Sequence, residues 1–201
     1  MNAANHVYAI LLAAGASSRL GSPKQLLHWR NRPLLAHSIE QAQAVLSERV
    51  IVVLGANSDA IQTAVDLSAA KIIANPDWQQ GVATSIRAGI QALPDTATAA
   101  LILLCDQPLI NAVHLQALLN VWQDNQHHIV ASQYPNSVGV PALFPAEYFP
   151  SLLTLTGDKG AKALLIKFAD MVLTISLPEA ELDIDNSADF DYLTHHYPSD
   201  K

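Results

Sequence analysis

Short apolar runs without a polar face recur along the chain. The clearest are "VYAILL" (7–12), "VIVVLG" (50–55), "KIIA" (71–74), "ALILLC" (100–105), "HIVASQ" (128–133) and "MVLTISL" (171–177). Most are oily at odd and even positions alike. A strand of that kind must be covered on both faces, which is the condition of a parallel sheet held between two helix layers. Segments of helical period lie between the runs. Leu34, Leu35, Ser38, Ile39, Ala42, Val45 and Leu46 recur at helical spacing, as do Leu115, Leu118, Leu119 and Trp122 after Pro108. Strands alternating with helices imply βαβ crossovers, so the expectation is one doubly wound α/β domain over residues 1–201 with a mostly parallel sheet. A chain of 201 residues is long enough to bury one substantial core. The polar end "HHYPSDK" (195–201) is expected to fray.

The formal net charge is −7, so the surface as a whole repels nucleic acid and anionic membrane, and neither is expected as a partner. An anionic ligand would need a local cluster of cations or backbone donors. Cys105 is the single cysteine, which rules out an internal disulfide. The opening "MNAANHVYAILLAAGAS" lacks the positive n-region of a signal peptide, and no apolar run approaches the roughly 18 residues of a membrane span. A cytoplasmic location is therefore expected. The adjacent pairs His127-His128 and His195-His196 have diverging side chains, and no zinc-type spacing of His or Cys occurs.

In doubly wound sheets ligands sit beyond the carboxyl ends of the strands. Three features stand there: the loop 13–24, Asp106 and Asp185. In "AAGASSRLGSPK", Gly15 allows a close turn and successive amides can form an anion nest, to which Arg19 and Lys24 would add charge. The loop is not a Walker A motif, because five residues separate Gly15 from Gly21 and Ser22 follows; the dinucleotide glycine pattern is also absent, which argues against a dehydrogenase. Taken alone, these residues fit a phosphate loop and a solvated βα connection equally. Asp106 could cap a helix or open a turn with Pro108, or it could project from the strand end to bind Mg²⁺, a hard cation suited to carboxylate and phosphate oxygens. Asp185 could simply lead into a last helix, with Asn186 or Ser187 as N-cap and Phe190, Leu193 and Tyr197 as its buried stripe. Asp183 is a weaker metal candidate. Cys105 reads as a small core residue, since nothing nearby in sequence would activate a thiolate.

The segment "LLAAGASSRLGSPKQLL" resembles the signature of the molybdenum-cofactor cytidylyltransferase type, the MobA-like NTP transferases. The family pattern Leu-x-Ala-Gly-x-Ser-x-Arg-x-Gly followed by Lys is matched by Leu12, Ala14, Gly15, Ser17, Arg19, Gly21 and Lys24. Further blocks follow in the family's order: "NPDWQQGVATSIRAGI" (75–90), "LLCDQPLI" (103–110), "GVPALF" (139–144), "LTGDKGAKALL" (155–165) and "LDIDNSADF" (182–190). The resemblance implies a Rossmann-like nucleotidyltransferase fold of the nucleotide-diphospho-sugar transferase type. It implies that Leu12, Ala13, Ala14, Gly15, Ser17, Arg19 and Lys24 bind the nucleotide, with Gly81 and Ser85 near base and ribose. Asp106 and Asp185 would hold Mg²⁺, and Arg19, Lys24 and Asp106 would serve catalysis. Gly139, Pro141, Gly157, Asp158, Gly160 and Lys162 would lie on the acceptor side.

Two departures bear on these roles. Asn186-Ser187-Ala188 replaces the family's usual Thr-Pro-Glu, which changes the helix start and leaves the aspartate. Lys162 stands where the family often has arginine, so a phosphate there would lose a bidentate partner. Ala13-Ala14-Gly15 matches the cytidylyl rather than the guanylyl members. The implied reaction is transfer of a nucleoside monophosphate from an NTP, CTP favoured, to molybdopterin in its molybdenum complex, with pyrophosphate released and a molybdenum hydroxylase apoenzyme as possible recipient. Alternatives are a sugar phosphate or methylerythritol phosphate as acceptor, or a non-catalytic carrier of the pterin cofactor.

Overall fold

The computed structural model describes residues 6–135 and 137–198. Seven strands form the central sheet: β1 (Val7–Ala13), β4 (Val50–Leu54), β5 (Lys71–Ala74), β6 (Ala99–Leu104), β7 (Ile129–Tyr134), β8 (Ser137–Pro145) and β9 (Val172–Ser176). Their order is β5-β4-β1-β6-β8-β7-β9. All neighbouring pairs are parallel except those made by β8, which runs antiparallel to both β6 and β7. The six apolar runs become strands with ends shifted by at most one residue, while β8 is a strand outside those runs. Gly139, Pro141 and Pro145 argue against a strand in "SVGVPALFP". The structure accommodates them at an irregularity: register slips between Ala131, opposite Ala142, and Ser132, opposite Gly139. Ser132 Oγ there donates to the Pro141 carbonyl at 2.7 Å. A second, two-stranded ribbon joins β2 (His28–Trp29) to β3 (Arg32–Pro33).

Alternate residues of the strands feed two separate cores. On one face Ala9, Leu11, Val52 and Leu101 pack against α1 (Leu34–Leu46) through Leu35, Ile39 and Leu46, and against α4 (Ala112–Asp124) through Leu118 and Trp122. On the other, Ile10, Leu12, Ile51 and Ile102 pack against α3 (Val82–Gln91) through Ile86 and Ile90. That face also takes in α5 (Phe149–Leu153) and α6 (Lys162–Lys167). Ile10 and Leu101 are fully buried, so either truncated to alanine would cost about 2–5 kcal/mol. The short helix α2 (Ser58–Ala64) adds Ile61 to the first core.

The last helix, α7 (Ser187–His196), starts at Asn186, whose side chain accepts from Asp189 N while Asp189 accepts from Asn186 N, a reciprocal cap. Leu193 is buried, but Tyr197 is not part of the expected stripe: it lies past the helix end, 39% exposed, and its carbonyl accepts from Trp29 Nε1 at 3.0 Å. His195 and His196 are helical; of the tail expected to fray, residues 199–201 lie outside the described residues, as do residues 1–5 of the opening segment. No helix among the described residues is long and apolar enough to cross a membrane.

Candidate functional site

Since the six co-directed strands share one carboxyl edge, the chain leaves β1, β4 and β6 at the same end of the sheet. After β1 the backbone closes into a tight loop. Ser17 and Gly21 take positive φ, +54° and +69°. Ser17 Oγ accepts from Lys24 N at 3.0 Å and its carbonyl from Leu20 N at 3.0 Å. The buried Gln25 side chain pins the loop's start, donating to the carbonyls of Ala13 (2.8 Å) and Gly15 (3.0 Å). The amides of Gly15 to Arg19 have no acceptor among the described residues, so a row of donors is left for an anion. Gln25 is a supporting residue that sequence reasoning did not single out.

Three stretches distant along the chain meet at the Lys24 ammonium. Its Nζ pairs with Asp106 Oδ2, reaches Asp185 Oδ1 at 3.1 Å, and donates to the Ile184 carbonyl at 3.1 Å. The backbone supports this meeting, since Ile184 N donates to the Asp106 carbonyl at 2.9 Å. Burial alone would lower the lysine pKa; the charge and hydrogen bond of Asp106, joined by Asp185, outweigh it and raise the pKa above the ordinary lysine value. Lys24 is thus a permanent cation. Arg19 is largely exposed, with its guanidinium 4.0 Å from Asp185 Oδ2, free to turn toward a ligand. Cys105 is buried beside Asp106, and desolvation followed by that negative charge pushes its thiol up to about 12, which suits an inert core residue.

A cleft of about 360 Å³ opens over this junction. Leu12, Ala13, Ala14, Gly15, Lys24, Gly81, Ser85 and Asp106 line it. Gly81 caps α3 at φ +103°. A Cβ there would come within 2.3 Å of the Gly157 backbone, so only glycine lets the 155–161 loop close against the helix. Ser85 Oγ accepts from the buried Asn75 Nδ2 at 2.9 Å. Ser17 and Arg19 stand outside this cleft's lining, Ser17 as the loop's internal clasp.

A second cleft, of about 330 Å³, adjoins the first and shares Leu12, Val82, Leu104 and Asp158 with it. Gly139, Asp158, Gly160 and Lys162 line it. Lys162 Nζ donates to Ser137 Oγ on β8. Two residues expected on the acceptor side are placed elsewhere. Pro141 borders a small cavity with Ser38 and Leu115, beside the register slip of β8 on β7. Gly157 makes the turn at φ +60° and gives its carbonyl to Ala83 N at 3.1 Å, a framework contact.

The same cleft gathers Gln107, Tyr134 and Asp183. Gln107 Nε2 donates to the Ala180 carbonyl at 2.8 Å, tying the strand end to the segment that carries Asp183 and Asp185. Desolvation first, then the negative charge of Asp106, push the Asp183 carboxyl up to about 7, with Gln107 and Lys24 opposing only in part. Asp183 carried a sequence signal as the weaker metal candidate and Gln107 as part of the block "LLCDQPLI", but neither was expected in this cleft. Tyr134 had none.

Among the described residues no three His, Cys, Asp or Glu side chains cluster as a metal-ligand set. The donor chemistry nonetheless fits a hard divalent cation. Asp106 Oδ1 is buried without a partner, while Asp106 Oδ2 and Asp185 Oδ1 converge on one positive charge. Two carboxylates leave most of an octahedral shell to water and phosphate oxygens, the usual arrangement for Mg²⁺ with a nucleotide.

Comparison with known proteins agrees with this architecture. Nicotine blue oxidoreductase of Paenarthrobacter nicotinovorans is 33% identical over 166 residues, 79% of this chain and 81% of that protein. The crystal structure of Rv0371c from Mycobacterium tuberculosis H37Rv superposes with a TM-score of 0.84 at 28% identity, covering 96% of this chain and 99% of that one. Rv0371c in complex with manganese gives 0.81 at 26% identity, covering 94% and 98%. The sequence model of the MobA-like NTP transferase domain matches residues 9–172. The chain therefore belongs to the MobA-like NTP transferase family.

Proposed function

We propose that the chain, as one catalytic domain of the cytoplasm, transfers a nucleoside monophosphate from an NTP to a phosphate-bearing acceptor with release of pyrophosphate. The observation that carries this reading is the convergence of Lys24, Asp106 and Asp185 beneath a loop of open amides. The acceptor's phosphate oxygen is already an anion and needs no strong general base. The barrier lies in bringing two anions together and in stabilising charge on the transferred and leaving phosphates. Asp106 and Asp185 would hold Mg²⁺ or Mn²⁺, which when bound supplies Lewis-acid neutralisation of phosphate oxygens. The loop amides and Arg19 would grip the β- and γ-phosphates. With a divalent cation on the two carboxylates, Lys24 would join the loop amides in holding the triphosphate. Asp158, on both clefts, and Lys162 would orient the acceptor. A manganese complex is known for the relative Rv0371c, in keeping with a divalent ion in this family.

CTP is the favoured donor because Ala13-Ala14-Gly15 matches the cytidylyl members, and molybdopterin in its molybdenum complex is the favoured acceptor, with a molybdenum hydroxylase as recipient of the product. The test is pyrophosphate release from CTP, GTP and ATP with Mg²⁺, with acceptor omitted or supplied as molybdopterin, a sugar 1-phosphate or methylerythritol phosphate. Release with CTP and molybdopterin is expected; release with another acceptor reassigns the substrate. No release with any pair, alongside tight pterin binding, would make the protein a carrier. A second reading, redox chemistry, is favoured by the oxidoreductase named among the relatives. Turnover of nicotine blue by the protein, without pyrophosphate release from any NTP, would replace the transferase reading.

A further inference from the structure

The first cleft contains one aromatic side chain, Trp78, and no catalytic step draws on it. Trp78 is half-buried, and its indole N–H has no partner among the described residues. The other two tryptophans are buried, at 3% and 1% exposure. Trp78 is seated on glycine: a Cβ at Gly55 would meet Trp78 Cβ at 2.6 Å, Trp78 Cγ at 2.8 Å and Ala14 Cβ at 2.9 Å. Gly55 follows β4, whereas Asp106 follows β6, and β1 runs between them. Trp78, packed on Gly55, and Asp106 therefore flank the end of β1, with two strand spacings, roughly 10 Å, between β4 and β6. A nucleoside phosphate can bridge that interval, phosphate toward Asp106 and base toward Trp78.

We propose that Trp78 is the stacking platform for the nucleobase and that Gly55, by lacking a side chain, is the positioning residue that seats it. This rests on the nucleotidyltransferase reading and extends it to how the base is held. An aromatic face stacks on any base, so the platform supplies affinity while the choice of base is made elsewhere.

The experiment compares Mg²⁺-CTP with Mg²⁺-tripolyphosphate, which carries the same phosphates and no base. Trp78→Ala is expected to weaken CTP about tenfold and leave tripolyphosphate unchanged. Trp78→Phe should keep most of the CTP affinity. Gly55→Ala should weaken CTP at least as much with every aromatic residue still present, since its Cβ displaces Trp78 and presses on Ala14. Tryptophan emission of the unsubstituted protein should change with CTP but not with tripolyphosphate, and Trp78→Phe should abolish that change. CTP affinity within twofold of the parent in Trp78→Ala, or equal losses for both ligands in Trp78→Ala and Gly55→Ala, overturns the assignment alone. Failure of the unsubstituted protein to bind CTP, GTP or ATP overturns the nucleotidyltransferase reading together with this one.

Discussion

The two adjoining clefts are built in different ways. The first draws most of its lining from short contiguous stretches, the loop after β1, the start of α3 and the end of β6, with Gly15 and Gly81 among them. The second gathers polar side chains from separate segments, among them Tyr134 on β7, Lys162 on α6, Gln107 after β6 and Asp183 before α7. On the proposed reading, the first cleft would recognise what all nucleoside triphosphates share. The side chains of the second would recognise what differs between acceptors, and they could change without disturbing the first. The difference teaches where affinity and where specificity reside.

Substitutions should separate the two. Asp106→Asn should lower pyrophosphate release about 10³-fold, since it removes charge from the junction; turnover within tenfold of the parent, in protein with unchanged circular dichroism, would mean that the junction is not the reaction centre. Lys24→Ala should lower turnover about 10²-fold while nucleotide affinity changes much less, because the ammonium acts chiefly as charge develops on the phosphates. In nucleotide-free protein the same variant should bind Mn²⁺ roughly tenfold tighter, since the ammonium no longer competes for the two carboxylates. Lys162→Ala should raise the acceptor KM about tenfold and leave the CTP KM alone. An effect on CTP instead would merge the two clefts into one site.

The smallest effect concerns Asp183, whose carboxyl is raised toward about 7 against 3.8 for the free side chain. The folded state then binds the extra proton between those values, so stability falls as pH rises from about 4 to 7; because Asp183 is exposed, solvent screening keeps this effect small. In metal-free protein the melting temperature should follow that slope, and Asp183→Asn should flatten it.

The buried strands were legible because apolar runs such as "ALILLC" leave few alternatives for burial. The loop 13–24 was legible as a contiguous segment whose spacing carries its geometry. β8 was not, because Gly139 and Pro141 are strand breakers whose tolerance depends on a register slip opposite Ala131 and Ser132, a property of the partner strand. Tyr134 was hidden for a related reason: it reaches the second cleft only because β8 turns back beside β7. Lys24 was legible as a cation near the site, but its seat between two aspartates depends on contacts 82 and 161 residues away. Tyr197 shows the converse, a helical spacing that continued in the sequence after the helix had ended.

Binding of Mn²⁺ in the presence of CTP, followed by electron paramagnetic resonance for the unsubstituted protein, Asp106→Asn and Asp185→Asn, addresses the shared junction most directly. The account predicts a protein-bound Mn²⁺–CTP signal in the unsubstituted chain that is lost or weakened at least tenfold by either substitution. A signal of undiminished affinity in both variants would contradict it.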